Sequence, residues 1–502
     1  MKTAVMVWGA SSGAGKSLLA TALCRWAARE GLDVVPFKAQ NMSNNARVVP
    51  APDGGVGEIG SAQYFQALAA RAAPHVDMNP VLLKPERDTA SQVVLQGRVA
   101  PELSRQGWRE RSAALAAAAR QSFERLAARH ELVVIEGAGS PAEINLAAQD
   151  YVNLDTARWA RALGTCRALL VADIDRGGAF AHLHGTWALL PEDLQPLLAG
   201  FVLNKFRGDA ALLAPGPQQL QALTGVPTLG VLPMQRDHGL PEEDGLHAGP
   251  PAGSGGGLRI AIVAAPHISN LDEFQPLQAA ANVRWVRRAA DLDGADWVVL
   301  PGSKQVSGDL DWLRAQGLDR AIVRHAREGW PVLGICGGLQ MLGQGLSDPD
   351  GVDGQPHGPR SGLGLLPLET RFAAPKRLHA GGMAFDDGLA GIDGPWRALA
   401  GRRWPGYEIR CGRTDEVQAL RGEARPVLWA AGDEGRAAPL GWCGGPQGNV
   451  LGLAAHGLFE DAGVLQALLG RSARSLDESL DGVASLLETA LGAATLRALC
   501  RA

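Results

Sequence analysis

The chain has 502 residues, more than one hydrophobic core usually organises, so two domains are expected. Apolar residues make up 46 % and charged residues 20 %, as in ordinary globular proteins. A net charge of -4 argues against a general nucleic-acid-binding surface or a polybasic membrane anchor. The six cysteines are scattered without metal-ligand spacing, and we find no signal peptide or membrane-spanning apolar run, so a reduced, cytoplasmic protein is predicted.

The first chemical motif lies near the N-terminus, where the apolar run at residues 5–9 passes into a glycine-rich loop that ends in Gly15-Lys16-Ser17. Helix-forming residues follow from 18 to 30. A strand, a loop and a helix in this order predict a phosphate-binding loop, because backbone N–H groups converge on phosphate at the helix N-terminus. The alternative is a plain glycine-rich turn. The residues expected to bind ATP are Gly9, Ser12, Gly13, Ala14, Gly15, Lys16 and Ser17, with Lys16 on the β- and γ-phosphates and Ser17 on Mg²⁺.

The rest of the first half alternates apolar, strand-like runs with helical stretches. The runs cover residues 33–37, 131–136, 168–173, 200–204 and 228–232, and an alanine-rich helix is predicted around 60–73. Such runs suit strands buried on both faces of a parallel sheet, which binds ligands at its carboxyl edge. Lys38, Glu136, Asp173 and Asn204 fall at or beside such ends, so we expect them at the nucleotide site.

A composition change separates the two halves of the chain. Residues 241–257 are rich in Gly and Pro and lack the apolar side chains of a core, which predicts a linker. A second β/α series follows, with apolar runs at 258–264, 297–301, 331–335 and 449–453. We therefore predict two doubly wound α/β domains with mostly parallel sheets, at 1–240 and 258–470, and a tail at 471–502 of one or two amphipathic packing helices.

The second chemical motif is Gly334-Ile-Cys-Gly-Gly338, which follows an apolar run and precedes a helix start. Glycines around Cys336 permit the tight strand-to-helix turn that presents a nucleophile, and the helix N-terminus favours the thiolate. His456, just past another predicted strand, is the expected base. The backbone N–H groups of Gly302 and Gly337 are expected to stabilise a tetrahedral oxyanion. The alternative for Cys336 is a structural core cysteine.

These residues resemble a class I, triad-type glutamine amidotransferase domain: Pro301-Gly-Ser, the turn around Cys336, and His456. The resemblance implies that glutamine is hydrolysed through a cysteinyl thioester with release of ammonia. Most members carry His-x-Glu, whereas Leu458 stands in the place of that glutamate here. The third member of the site therefore stays open between Glu460, Glu408 and a Cys–His dyad.

The N-terminal half is similar to the dethiobiotin-synthetase-like ATPases, and nearly the whole chain resembles the cobyric acid synthase family. The matching strings lie at residues 36–42, 58–60, 76–85, 136–145, 173–178, 204–209 and 406–409. Two positions depart from the family pattern. Gly13 stands where the loop usually carries Asp, and Arg410 stands where His usually follows Tyr-Glu-Ile, which leaves His456 as the better base.

The resemblance implies a ligase that uses ATP and glutamine to amidate the b, d, e and g carboxylates of a corrinoid, adenosylcobyrinic acid a,c-diamide. It implies ATP and Mg²⁺ as cofactors, with Glu136 as the first choice of acidic Mg²⁺ partner beside Ser17 and Asp173 as the alternative. Lys38 is expected to balance charge on the carboxylate and the transferring phosphoryl group. Asn204 is expected to contact adenine.

Two kinds of alternative remain open at this stage. One is another glutamine-dependent ligase of the same architecture, such as cobyrinic acid a,c-diamide synthase or a CTP-synthase-like enzyme. The other is a P-loop switch ATPase with an inactive amidotransferase fold. Because ammonium has no free lone pair, a protected ammonia route between the sites is expected. No nucleic-acid or membrane partner is expected, and the oligomeric state, a homo-oligomer included, stays open.

Overall fold

The computed structural model describes residues 1–87, 90–235, 238–241, 257–354, 356–420, 422–433, 437–471 and 473–501. The chain divides into two compact units. One comprises Met1–Leu240 together with Leu476–Ala502, and the other comprises Pro241–Ser475. The predicted linker at 241–257 lies outside the described residues except at its two ends.

Among its described residues, the first unit begins with twelve strands and seven α-helices within residues 1–240. The strands are β1 (Thr3–Gly9), β2 (Val34–Phe37), β3 (Gln40–Met42), β4 (Ala46–Pro50), β5 (Val56–Gly60), β6 (Val81–Arg87), β7 (Ala90–Leu95), β8 (Arg98–Val99), β9 (Leu132–Glu136), β10 (Thr165–Asp173), β11 (Leu198–Phe206) and β12 (Thr228–Pro233). The helices are α1 (Lys16–Arg29), α2 (Ser61–Ala69), α3 (Pro101–Arg105), α4 (Trp108–Arg129), α5 (Thr156–Leu163), α6 (Ala179–Leu189) and α7 (Gly216–Thr224).

A six-stranded parallel sheet organises this unit, in the order β12-β11-β10-β1-β9-β2. Strand β1 is buried along its whole length, as expected for a strand covered on both faces. All five later apolar runs of the predicted sheet correspond to strands within it, which confirms the parallel α/β prediction. The sheet of β3, β6, β7 and β8 and the β4–β5 pair were not predicted, because several of these strands are short and carry polar residues.

The second unit contains fourteen strands and five α-helices among the described residues. The strands are β13 (Arg259–Val263), β14 (Ile268–Ser269), β15 (Asn282–Val286), β16 (Trp297–Leu300), β17 (Gly302–Ser303), β18 (Val332–Ile335), β19 (Gly345–Asp348), β20 (His357–Ser361), β21 (Leu368–Phe385), β22 (Arg403–Glu416), β23 (Arg425–Ala430), β24 (Gly441–Gly444), β25 (Val450–Leu453) and β26 (Ala455–His456). The helices are α8 (Gln275–Ala280), α9 (Val306–Ala315), α10 (Leu318–Arg327), α11 (Gly337–Leu342) and α12 (Ala462–Leu469).

The sheet of the second unit is parallel where it carries the chemical motif. Strands β15, β13, β16, β18 and β25 lie side by side in parallel, and the four predicted apolar runs form β13, β16, β18 and β25. Beyond β25 the sheet continues through the antiparallel strands β24 and β23 to the long β21–β22 pair. These long strands mix buried with exposed positions, so no continuous apolar run reveals them in the sequence.

The last two helices, α13 (Leu476–Leu491) and α14 (Ala493–Cys500), pack on the first unit. Helix α13 buries Leu480, Val483, Ala484 and Leu487, which recur at helical spacing and share a core with apolar residues of α1. Among the described residues, no single helix is long and apolar enough to cross a membrane. Only the α13–α14 pair, bent by 101°, meets such a test of length and composition.

Candidate active sites

The phosphate-binding loop leaves β1 at Gly9 and enters α1 at Lys16. Gly15, the residue before the helix, has φ +102°, a backbone conformation that favours glycine. Lys16 Nζ donates to the carbonyl oxygens of Ser11 at 3.0 Å and Gly139 at 2.9 Å. A Cβ at Gly9 would lie 2.9 Å from this ammonium nitrogen and 2.9 Å from the Ser11 carbonyl oxygen, so glycine at position 9 leaves room for the lysine side chain over the loop.

Glu136, at the end of β9, is the centre of a buried polar cluster beside the loop. Its Oε1 accepts hydrogen bonds from the Ser17 hydroxyl and from Lys38 Nζ, each at 2.8 Å. Its Oε2 accepts from Gln66 Nε2 at 2.5 Å. Burial would raise the pKa of Glu136, but Lys38 and these hydrogen bonds lower it below its ordinary value, so the carboxylate is charged. The structure thus brings together three predicted site residues and adds Gln66 from α2.

Asp173, at the end of β10, is held by two cations. Lys205 Nζ lies 3.1 Å and Arg176 Nε 3.4 Å from its Oδ2. Glu136 and Asp173 were the two acidic residues predicted to bind Mg²⁺ beside Ser17. In the structure, the Ser17 hydroxyl contacts Glu136.

Asn204, near the end of β11, lies against the loop from the side. Its Nδ2 donates to the Ala14 carbonyl oxygen at 2.9 Å, and a Cβ at Gly15 would overlap with the amide group. The next residue, Lys205, has φ +61° and donates to the Gly13 carbonyl oxygen at 2.8 Å. Two side chains from β11 therefore hold the part of the loop that precedes α1.

The residues of this site fit Mg²⁺ together with a nucleotide. The Ser17 hydroxyl and the Glu136 carboxylate are the oxygen donors that Mg²⁺ prefers, and phosphates and water usually complete its shell. In the part of the chain that the structure describes, no group of three or more His, Cys, Asp or Glu side chains forms a metal cage. Ser12 is exposed at the loop, where its backbone can approach phosphate.

Cys336 occupies a sharp turn between β18 and α11. Its φ is +52°, which is rare for a residue with a side chain. A Cβ at Gly334 would lie 2.6 Å from the backbone carbon of Gly338, and one at Gly338 would overlap with the Leu300 carbonyl group. The predicted glycines are therefore required for strand and helix to approach each other. The Cys336 side chain is 6 % exposed, and its Sγ lies 3.7 Å from the Ile409 carbonyl oxygen.

His456, on β26, is buried between Cys336 and Glu273. Its Nδ1 lies 3.0 Å from Glu273 Oε1, and the other carboxylate oxygen accepts the Gly457 N–H at 3.0 Å. The Tyr407 ring stacks on the imidazole with centroids 5.1 Å apart. Burial would lower the pKa of His456, but the Glu273 carboxylate and then Cys336, which is also its hydrogen-bond partner, raise it to about 10. The carboxylate in contact with the base is Glu273.

The sequence left the third member of this site open, and Glu273 was not among its candidates. Glu408 instead accepts a hydrogen bond from Arg410 Nε at 2.6 Å, and both side chains are buried. Glu460 is exposed. Glu273 comes from the short 3-10 helix Leu271–Phe274, far from the cysteine and histidine motifs in the chain. The feature that marks Glu273 as a site residue is the complete burial of its acidic side chain. This burial is known only once the structure is known.

The two glycines predicted to supply oxyanion donors lie beside the cysteine and histidine. Gly337 is the first residue of α11, where backbone N–H groups have no intrahelical partner. A Cβ at Gly302 would lie 3.2 Å from His456 Cε1, so this glycine borders the imidazole. A Cβ at Gly337 would lie 2.7 Å from the backbone nitrogen of Ser303. Of the two residues of β17, Ser303 is therefore the one whose nitrogen lies nearest to this position.

Two family models match the chain. Residues 5–246 match the CobQ/CobB/MinD/ParA nucleotide binding domain, and residues 259–464 match the CobB/CobQ-like glutamine amidotransferase domain. A cobyric acid synthase of Methylibium petroleiphilum is 59 % identical over 494 residues, which cover 97 % of this chain and 94 % of that relative. One of Variovorax paradoxus is 57 % identical over 498 residues, covering 99 % and 98 %. The chain therefore belongs to the cobyric acid synthase family.

Proposed function

We propose that this protein amidates the b, d, e and g carboxylates of adenosylcobyrinic acid a,c-diamide to give adenosylcobyric acid in cobalamin biosynthesis. The observation that carries the proposal is the presence of two complementary sites in a chain that matches cobyric acid synthases over nearly its full length. One site has the residues to activate an acid with ATP, and the other has the residues to release ammonia from glutamine. The acid has to be activated because ammonia cannot displace oxide from a carboxylate, and glutamine is the source of the ammonia.

Glutamine hydrolysis begins when the Cys336 sulfur, as a thiolate beside the His456 imidazolium whose pKa is about 10, attacks the amide carbon. Glu273 holds Nδ1 of the imidazole, orients the ring and stabilises the imidazolium. The oxyanion accepts hydrogen bonds from the Gly337 N–H and from β17, where Gly302 is the predicted donor and Ser303 is nearest to Gly337. The imidazolium then protonates the departing ammonia. Water then gives a proton to the neutral His456 and attacks the resulting thioester, which releases glutamate and restores the thiolate beside the imidazolium.

In the nucleotide site, a carboxylate oxygen of the corrinoid attacks the γ-phosphorus of ATP, so that ADP leaves and an acyl phosphate forms. Ammonia then attacks the acyl carbon and phosphate leaves. Lys16 neutralises the phosphates, and Lys38 offers charge to the carboxylate and the transferring group. Ser17 and Glu136 would hold Mg²⁺, which neutralises charge on the phosphate oxygens when bound.

We place this reaction in the cytoplasm, where ATP and glutamine are supplied. None of the six cysteines forms a disulfide bond in the structure, which supports that location.

The Cys336→Ala variant tests the assignment of the two half-reactions. With ATP, Mg²⁺ and the a,c-diamide, we expect it to lose glutamine-dependent amidation and to keep amidation driven by added ammonium chloride. The wild-type protein should use both nitrogen sources. Glutamine-driven amidation by Cys336→Ala would contradict the role of the cysteine, and no amidation from either source by the wild-type protein would contradict the proposed function.

A further inference from the structure

Strand β17 of the amidotransferase unit presents one backbone N–H toward the cysteine site. The strand pairs antiparallel with β14, and the next residue, Lys304, donates its backbone N–H to the His267 carbonyl oxygen at 2.8 Å. Successive N–H groups of a strand point to opposite edges, so the Ser303 N–H points away from β14. Its nitrogen lies beside Gly337, whose N–H is the other expected oxyanion donor. The placement of the second donor therefore depends on what holds Ser303.

Asp309 of α9 holds Ser303 by its side chain. Its Oδ2 accepts a hydrogen bond from the Ser303 hydroxyl at 2.6 Å, and the hydroxyl oxygen accepts the Gln305 N–H at 3.1 Å. Its Oδ1 accepts the His267 N–H at 3.1 Å and lies 2.8 Å from Nδ1 of the same residue. The Asp309 side chain is fully buried. One buried carboxylate thus joins β17 to the residue that precedes β14.

The helix that carries Asp309 is itself fixed where it begins. N–H groups at a helix start lack partners within the helix, and those of Val306 and Ser307 donate to the two carboxylate oxygens of Asp353 at 2.8 and 2.7 Å. Asp309 lies in the first turn of the same helix. An acidic residue there can stabilise a helix by its charge alone, but both oxygens of Asp309 contact residues outside α9. These contacts point to a role beyond the stability of the helix.

We propose that Asp309 is a positioning residue for glutamine hydrolysis, which acts through the Ser303 hydroxyl to hold the Ser303 N–H at the oxyanion. The proposal rests on the hydrolysis of glutamine at Cys336 proposed above. An oxyanion donor works only within hydrogen-bond distance of the oxygen that becomes charged, and a displacement of about 1 Å can lower a rate about 10²-fold. Because the oxyanion develops after glutamine has bound, Asp309 should affect kcat and leave KM unchanged.

Asp309→Ala tests this role, and Asp311→Ala, at an exposed position on the same helix, is the matched control. Glutamate release from glutamine would be measured with the full-length proteins. We expect Asp309→Ala to lower kcat about 10²-fold and to change KM by less than about twofold, while the control keeps the wild-type values. Alkylation of Cys336 by iodoacetamide, followed by peptide mass spectrometry, should proceed at the wild-type rate in both variants, because this displacement develops no oxyanion.

Two further variants keep the test valid if Asp309→Ala does not fold. Asp309→Asn preserves the shape of the side chain, but an amide has one acceptor oxygen and cannot serve both Ser303 and His267. We expect it to lower kcat about tenfold. Ser303→Ala removes the hydroxyl and should lower kcat as well. Adding Asp309→Asn to Ser303→Ala should lower kcat by less than about twofold more, because both changes break the same contact.

Three results would overturn the proposal. The first is a kcat equal to that of Asp311→Ala in both Asp309 variants. The second is a loss of Cys336 alkylation that matches the loss of kcat, since Asp309 would then act on the cysteine and not on the oxyanion. The third is a double variant in which the two single losses multiply. Because the assays contain no ATP or corrinoid, a protein that hydrolyses glutamine without amidating a corrinoid would contradict the proposed function and leave this test intact.

Discussion

Glu273 controls the charge state of His456 in the amidotransferase site, and its replacement tests that control. Glu273→Gln keeps a side chain of the same shape but removes the charge that raises the pKa of His456. We expect glutamine hydrolysis to fall by roughly 10²–10⁴-fold, with ammonia-dependent amidation retained. Steady-state glutaminase rates would measure the effect. The control is Glu460→Gln, which alters an exposed candidate and should hydrolyse glutamine at the wild-type rate; equal rates in the two variants would contradict the role of Glu273.

The raised pKa of His456 also predicts how stability depends on pH. The pKa is about 10 in the folded protein, against an ordinary value of 6.5. The stabilisation from the charged imidazole is therefore complete below pH 6.5 and is lost as the pH rises to about 10. Urea unfolding should show wild-type protein and His456→Gln converging in stability across this range. A gap that is constant with pH would show that the imidazole does not gain this charge on folding.

The two sites differ in how well the sequence predicts their residues. Lys16 and Cys336 lie in local motifs, where glycines and a helix start within a few positions specify both the backbone and the chemistry. Gln66 and Glu273 reach their sites from separate segments, and nothing in their neighbouring residues marks them. Such partners are specified by tertiary packing, which a single sequence does not display.

At the scale of elements, the attachment of α13 depends on a buried guanidinium. Asp481 receives two hydrogen bonds from Arg25, whereas the more exposed Asp477 makes a single contact. We expect Asp481→Asn to lower the thermal unfolding midpoint of the first unit more than Asp477→Asn does, because it leaves the buried Arg25 with less compensation. Equal midpoints for the two variants in scanning calorimetry would contradict this description of the helix contact.

The strands could be predicted from the sequence where both of their faces are buried. Strands β1, β10 and β18 are apolar over most of their length because helices cover both faces of a parallel sheet. Strands β21 and β22 carry exposed positions and charged side chains, so their pairing depends on contacts between distant parts of the chain. The packing of α13 against α1 depends in the same way on a distant partner, although its apolar stripe marks it as a packing helix.

For the molecule as a whole, two sites in one chain predict that nitrogen passes from one to the other without mixing with the solvent. Ammonia that equilibrates with bulk water becomes protonated and loses the lone pair that attacks the acyl phosphate. With ¹⁵N-amide glutamine and an excess of unlabelled ammonium chloride, we expect the corrin amides to carry mainly ¹⁵N by mass spectrometry. Label diluted in proportion to the added ammonium would argue against a protected route.

The most direct measurement for the central claim is the mass of the corrinoid after a single incubation. The wild-type protein would receive ATP, Mg²⁺, glutamine and adenosylcobyrinic acid a,c-diamide, and the corrinoid, ADP and glutamate would be measured together. We expect a product in which the b, d, e and g carboxylates are all amides, with one ATP and one glutamine consumed for each amide formed. Consumption of ATP or glutamine with a corrinoid of unchanged mass would contradict the proposed amidation.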